Sequence, residues 1–284
     1  MDNIRDIRER IKSVREIRKI TRAMKMVATA KFKKADRRLK ETWNYNNTVD
    51  NLIVRMSKEV VTRYNPYFTE NKNAQKDLLI LVTSDKGLCG GFNANLIRMA
   101  QETLSNRTNL FVIGKKGRNF FRKIESVNID GEEVELFGNL TFKHCRIIMD
   151  EIKNRFKQGL YGKVQVLYTH FETMGTQPLK LETVLPLQLP ESTDESSPET
   201  LLYEPCAEPV FNRMINHYIE LQLFRILLES ELSEHVTRMN AMDAATKNAS
   251  ELIDTLVLNY NRARQAVITR EIIEIVSGAQ ALNK

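Results

Sequence analysis

Hydrophobic residues near the start of the chain recur with the spacing of a coiled-coil helix. Ile4, Ile7, Ile11 and Val14 follow one another at steps of three, four and three residues, which aligns one apolar seam against a partner helix. From Val14 to Ile17 the step is three residues where four is due, and this predicts a stammer that overwinds the helix locally. Beyond that step the predicted seam continues through Ile17, Ile20, Met24 and Val27.

A second helical pattern occupies the C-terminal part of the chain, where the apolar stripe is less regular. The two patterned helices could simply pack on their own globular domain. Neither stripe is wide enough for burial on several sides, which favours helices that project from the domain. The C-terminal stripe consists of Met214, Leu221, Leu228, Leu232, Val236, Met239, Met242, Leu252, Leu256 and Val267, and it is interrupted by the small residues Ala241, Ala244, Ala245 and Ala249.

Glycine and proline, the residues that usually stop helices, divide the chain into three parts. The first proline is Pro66, the first glycine is Gly87, and after Pro209 the only glycine is Gly278. Fully helical terminal segments would measure roughly 95 Å and 110 Å, against a domain diameter of about 40 Å. The division predicts an N-terminal coiled-coil helix at residues 1–65, a central α/β domain at 66–209 and a C-terminal coiled-coil helix at 210–284.

The central part alternates between strand-like and helix-like segments. Residues 78–83 (LLILVT) form a nearly continuous apolar run, as expected of a strand buried on both faces. The alternation predicts an α/β fold with a small, mostly parallel, Rossmann-like sheet covered by helices. Residues 188–200 are acidic and rich in serine and proline, which predicts a mobile surface loop. Further strands are predicted at residues 110–113, 164–171 and 181–187, and helices at 95–104, 117–123 and 142–156.

Positive charge is concentrated at the N-terminus. The chain has a net charge of +7, and residues 1–40 contain 15 lysines and arginines against five acidic residues. Such a helix needs an anionic partner or a solvated face. The order of seam and charges differs from that of zipper proteins that bind DNA, and residues 1–31 lack the aromatic residues of a membrane-surface helix. Nucleic acid, a membrane surface and an acidic protein sleeve all remain open from composition alone.

The chemistry-bearing residues form no catalytic pattern. Residues 84–91 (SDKGLCGG) and 114–117 (GKKG) match no phosphate-binding glycine motif, so both are interpreted as turns. The four histidines and three cysteines have no metal-ligand spacing, and each cysteine is interpreted as a small buried residue. We therefore expect no cofactor, no metal and no catalytic site. No apolar stretch is long enough to span a membrane, and the first residues are too charged for a signal peptide.

Four segments resemble the signatures of one protein family. Residues 20–35 (ITRAMKMVATAKFKKA) resemble the N-terminal signature of the gamma subunits of F-type ATP synthases. Residues 260–281 (YNRARQAVITREIIEIVSGAQA) resemble the C-terminal signature of that family. Residues 84–93 (SDKGLCGGFN) and 201–205 (LLYEP) also match, in the family's order and spacing. The matches span almost the whole chain.

The resemblance implies a rotor function. In this family the two terminal helices form a left-handed antiparallel coiled coil inside a ring of alternating alpha and beta subunits. The beta subunits hold the catalytic sites, so the resemblance implies a non-catalytic subunit. The globular domain of the family binds the epsilon subunit and rests on the membrane ring of c subunits. Flow of protons, or of sodium ions in some organisms, turns that ring and drives ATP synthesis, and ATP hydrolysis reverses the motion.

The resemblance also implies which residues contact the partner subunits. Arg264 and Gln265 match a pair that hydrogen-bonds a beta subunit near the end of the shaft, and Met24 matches a position close to the acidic lever segment of beta. The remaining expected contact residues are Arg8, Arg10 and Arg15 facing the ring cavity, Lys86 near the beta subunits, Tyr203 and Glu204 near epsilon and the c-ring, and Thr269, Glu271 and Glu274 in the C-terminal signature.

One departure narrows the resemblance. The chloroplast form of the family carries an inserted segment with a redox-active cysteine pair, which this sequence lacks. A bacterial-type gamma subunit fits best, and it would be a peripheral membrane protein on the cytoplasmic face of the bacterial plasma membrane. The alternative from another class is a basic coiled-coil protein that binds nucleic acid.

Overall fold

The chain forms two compact units, which are described separately. The computed structural model describes residues 4–59, 65–69, 71, 74–188 and 202–282, and only the backbone of Glu59 and of residues 279–282. Most of the loop predicted at residues 188–200 therefore lies outside the described residues. The helical unit comprises Met1–Thr29 and Arg238–Lys284, and the α/β unit comprises Ala30–Thr237. Helix α1 (Ile4–Glu59) and helix α5 (Ala207–Leu282) contribute to both units.

The α/β unit contains one five-stranded sheet in the order β3-β2-β1-β4-β5. The first four strands in this order pair in parallel, and β5 is antiparallel to β4. The predicted α/β class with a mostly parallel sheet is therefore confirmed. The strands are β1 (Lys76–Val82), β2 (Thr108–Ile113), β3 (Ile129–Glu133), β4 (Tyr161–Thr169) and β5 (Leu179–Leu185), and the connecting helices are α2 (Phe92–Thr103), α3 (Lys115–Phe121) and α4 (Phe142–Lys157).

Sequence analysis missed the edge strand β3. Its five residues, IDGEE, are all half-buried and show neither an apolar run nor a clean alternation. Gly131 is required at the crossing with β2, because a Cβ at position 131 would lie 2.5 Å from the ring of Phe111. Backbone pairing with β2 holds this strand in the sheet, and that interaction leaves little trace in side-chain hydrophobicity.

Within the α/β unit, one stretch of helix α5 is buried on every side. Every residue from 226 to 236 is buried, so the expectation that the C-terminal stripe is too narrow for burial on several sides is wrong for this stretch. The stripe looked narrow because polar residues lie between the apolar ones. Those polar residues are themselves buried, and Glu229, Glu231, Glu234 and His235 are each at most 5% exposed.

A buried ion pair joins α4 to α5. Lys153 and Glu220 are 4% and 6% exposed, and Lys153 Nζ lies 2.6 Å from Glu220 Oε1. Lys153 also pairs with Asp150 at 2.9 Å, one turn away on its own helix. One buried ammonium is thus satisfied by two carboxylates, as a buried charge requires.

The three cysteines differ in environment. Cys89 and Cys145 are buried, and burial raises the pKa of the Cys145 thiol to about 12. Both behave as the small buried residues that were predicted. Cys206 is exposed, so for this residue the prediction is wrong. It lies just before the start of α5, at Ala207.

In the helical unit, the seam of α1 departs from the predicted register beyond Val14. The predicted positions Ile17 and Ile20 are 52% and 58% exposed. The buried positions are instead Thr21 and Ala28, which continue the heptad spacing from Val14 without a break. The predicted stammer is therefore wrong. The prediction followed the large apolar side chains, whereas the seam continues through the small side chains of Thr21 and Ala28.

Candidate functional site

The paired ends of α1 and α5 form the first candidate region. Three residues of each helix make one apolar cluster, with Ala263 and two neighbours packed at its border. All six are at most 8% exposed, whereas most of their neighbours along the two helices are exposed. The cluster consists of Ile7, Ile11 and Val14 from α1 and Ala249, Ile253 and Leu256 from α5.

Polar contacts continue the pairing and fix its direction. The hydroxyl oxygens of Thr21 and Thr246 lie 2.8 Å apart. Lys25 Nζ donates to Asp243 Oδ1 at 2.5 Å, and Lys247 Nζ lies 3.2 Å from the other carboxylate oxygen. As residue numbers rise along α1 they fall along α5, so the two helices are antiparallel. The hydrogen bonds from Lys25 and Lys247 lower the pKa of Asp243 below its ordinary value.

Sequence analysis missed these polar seam contacts, although a signal for them was present. The heptad continued unbroken from Val14 places positions 18, 21, 25 and 28 on the seam. Lysine and threonine at such positions read as surface residues when apolar character alone is scored. Met24, the expected contact, lies next to this pairing and is half-buried.

The expected basic contact residues of α1 are solvent-facing. Arg8, Arg10 and Arg15 are all exposed, as are the acidic neighbours Asp6 and Glu9. A neighbouring arginine of α1 forms an exposed ion pair within the helix, with Arg5 Nε 3.6 Å from Glu9 Oε1. Exposed pairs of this sort contribute little to stability. Arg8, Arg10 and Arg15 therefore present their side chains to solvent.

The C-terminal part of α5 is the second candidate region. The expected contact residues Arg264, Gln265, Thr269, Glu271 and Glu274 are all exposed. They are interleaved with large apolar side chains that are also exposed, up to 70% at Ile275. Groups of exposed apolar side chains are a feature of surfaces that bind other proteins, which makes this stretch a candidate for such a surface. The exposed apolar residues are Leu258, Val267, Ile268, Ile272, Ile273, Ile275 and Val276.

The glycine-bearing loop with Lys86 lies at the end of β1 in the α/β unit. Asn93 ties the loop to the strand: its Oδ1 accepts from the backbone N–H of Ser84 at 3.0 Å, and its Nδ2 donates to Ser84 Oγ at 2.7 Å. Ser84 Oγ donates in turn to the Lys86 carbonyl oxygen at 2.7 Å. The Lys86 side chain is exposed. The loop is therefore a closed, hydrogen-bonded turn that presents a lysine.

The GKKG turn has a packing explanation. Gly114 adopts φ 100°, and a Cβ there would lie 2.1 Å from the Thr83 carbonyl oxygen. The backbone N–H of Gly117 donates to Thr83 Oγ1 at 2.9 Å. Asp85 accepts from the backbone N–H of Lys115 at 3.0 Å. Close approach to the end of β1 thus accounts for both glycines. Gly114 lies in the turn that was predicted, whereas Gly117 lies inside helix α3, so for this residue the interpretation as a turn is wrong.

Tyr203 and Glu204 lie just before α5 in the α/β unit. Tyr203 is half-buried and packs against the main core, whereas Glu204 is exposed. Their neighbour Leu202 is 97% exposed. The expected contact residues are therefore divided between the units, with only Lys86, Tyr203 and Glu204 in the α/β unit.

The described residues offer neither a metal site nor a membrane-spanning helix. Within these ranges no group of three or more histidine, cysteine, aspartate or glutamate residues could hold a metal ion. No helix in the described part of the chain is both long and apolar enough to cross a membrane.

Comparison with known proteins gives consistent matches over the full length. The family model for ATP synthase matches residues 3–282. The ATP synthase gamma chain of Chlorobaculum parvum is 36% identical over 293 residues, which cover 100% of both chains. The ATP synthase gamma chain of Geobacter sp. strain M21 is 36% identical over 99% of both chains.

Solved structures show the same fold. A chain of the Euglena gracilis mitochondrial ATP synthase, from a structure of OSCP, F1 and the c-ring, is similar with a TM-score of 0.71 and 19% identity, covering 98% of this chain and 94% of that one. A chain of the Tetrahymena thermophila mitochondrial ATP synthase central stalk and c-ring has a TM-score of 0.62 and 25% identity, covering 80% and 99%. Taken with the full-length sequence matches, these findings show that the chain belongs to the ATP synthase gamma-chain family.

Proposed function

We propose that this chain is the central-stalk rotor subunit of an ATP synthase and couples rotation of a c-ring to ATP synthesis or hydrolysis. Its partners are the alpha and beta subunits, the epsilon subunit and the c-ring. Membership of the gamma-chain family supports this function over the alternative of a coiled-coil protein that binds nucleic acid.

One structural observation carries the proposal furthest. The end of α5 exposes a run of large apolar residues, with Ile272, Ile273 and Ile275 between 55% and 70% exposed. This surface would be unfavourable in water, and a close-fitting partner would cover it. An antiparallel helix pair that leaves this end uncovered suits a shaft that turns within a protein sleeve of alpha and beta subunits.

The three segments separated by glycine and proline would have different roles. Residues 1–65 and 210–284 would form the shaft, and residues 66–209 would form the domain that faces epsilon and the c-ring. The contacts to alpha and beta would include Met24, Lys86, Arg264 and Gln265. Further contacts would be Arg8, Arg10, Arg15, Thr269, Glu271 and Glu274 along the shaft, and Tyr203 and Glu204 at the c-ring end.

The chain would itself be non-catalytic, with hydrolysis on the beta subunits. The packing explanation for Gly114 and the closed turn at Ser84 support this, because both glycine-bearing loops have a structural reason to exist. The bacterial relatives support a peripheral location on the cytoplasmic face of the plasma membrane, held there by the c-ring.

A pair of variants tests the shaft contacts. Arg264→Ala and Gln265→Ala each remove one side chain that would hydrogen-bond a beta subunit, and we expect ATP turnover of the assembled complex to fall about three- to tenfold. The yield of assembled complex should stay close to that of the wild type. Arg262→Ala, at another exposed position of α5, is the matched control and should leave both unchanged. Equal losses of assembly and turnover would contradict a role in coupling.

The non-catalytic assignment has its own test. The purified chain should not hydrolyse ATP, whereas the complex containing it should. Hydrolysis by the purified chain, copurifying with it through successive columns, would overturn the assignment.

A further inference from the structure

We draw no further inference here: the strongest candidate, the exposed side-chain cluster of Lys86, Leu88 and Lys116 at the carboxyl ends of β1 and β2, belongs to the Lys86 loop already proposed as a contact to the alpha and beta subunits.

Discussion

Helix α5 is packed in two different ways along its length. In the α/β unit, every residue from 226 to 236 is buried, including several carboxyl groups. In the helical unit the same helix buries a single stripe, Ala249, Ile253 and Leu256, against α1. The first stretch is part of a core packed from all sides, whereas the second leaves most of its surface to solvent or to partners.

This difference teaches why local hydrophobicity is a poor guide to burial in this helix. Glu229 is 2% exposed, while Ile275 is 70% exposed. Glu229 is buried because Arg225 and His170 pair with it at 2.9 Å and 2.7 Å. The neighbours available to each position decide its burial, and the character of its own side chain does not.

The largest expected loss of stability comes from a substitution in the fully buried stretch of α5, residues 226–236. Leu228 is 0% exposed in the main core, so Leu228→Ala leaves a cavity and should lower the free energy of unfolding by about 4 kcal/mol. Leu252→Ala, on the same helix but 40% exposed, is the control and should cost about 0.5 kcal/mol or less. Urea denaturation followed by circular dichroism measures both. Similar losses for the two variants would contradict the contrast between the two parts of α5.

An intermediate effect is expected in the narrow seam, and it tests the register of α1. Ile11 is 7% exposed and Ile17 is 52% exposed. Ile11→Ala should lower the free energy of unfolding by about 2 kcal/mol, since the seam is thin and partly solvated. Ile17→Ala should change it by about 0.5 kcal/mol or less. Urea denaturation measures both variants. A larger loss of unfolding free energy for Ile17→Ala than for Ile11→Ala would support the originally predicted register, which contains the stammer.

The smallest expected change in stability at neutral pH comes from the buried carboxyl group of Glu231. Burial raises the pKa of Glu231 above its ordinary value of 4.5, although the attraction of Arg38 and the hydrogen bond from Gly138 oppose the shift. Since the folded-state pKa is the higher one, the contribution of this group to stability is complete below about pH 4.5. It is lost as the pH rises through the folded-state pKa.

Glu231→Gln removes this titration and keeps an acceptor for the backbone N–H of Gly138, which lies 3.0 Å from Glu231 Oε1. We expect the variant to be no less stable than the wild type at pH 7. Its free energy of unfolding should decline less than that of the wild type between pH 4.5 and 7. Urea denaturation across this pH range measures the effect, with Glu251→Gln, at an exposed position of α5, as the control. An unchanged pH profile would show that burial does not dominate at Glu231.

Much of the fold follows from the sequence itself. No glycine or proline precedes Pro66, and after Pro209 only Gly278, near the end, interrupts the chain, which predicted two long helices because little in those stretches stops a helix. The run LLILVT predicted the central strand β1, since a strand buried on both faces is apolar at every position. Four signature segments indicated the family, and full-length relatives confirm it.

Only the tertiary structure decided the remainder. Strand β3 forms by pairing with β2 and carries no apolar run, so its side chains gave no sequence pattern from which to predict a strand. The seam runs through Thr21 and Ala28 because α5 brings Thr246 and Asp243 opposite α1, a pairing between residues more than 200 positions apart.

The burial of Asn46 shows the same limit. In the sequence Asn46 is one of several asparagines on a charged helix, and nothing distinguishes it from its exposed neighbour Asn47. Only the folded structure separates them, because it buries one side chain and leaves the other exposed. Sequence thus determined which segments are helices and strands through local propensity and periodicity. Burial of individual polar groups was decided by contacts between distant segments, which local patterns do not encode.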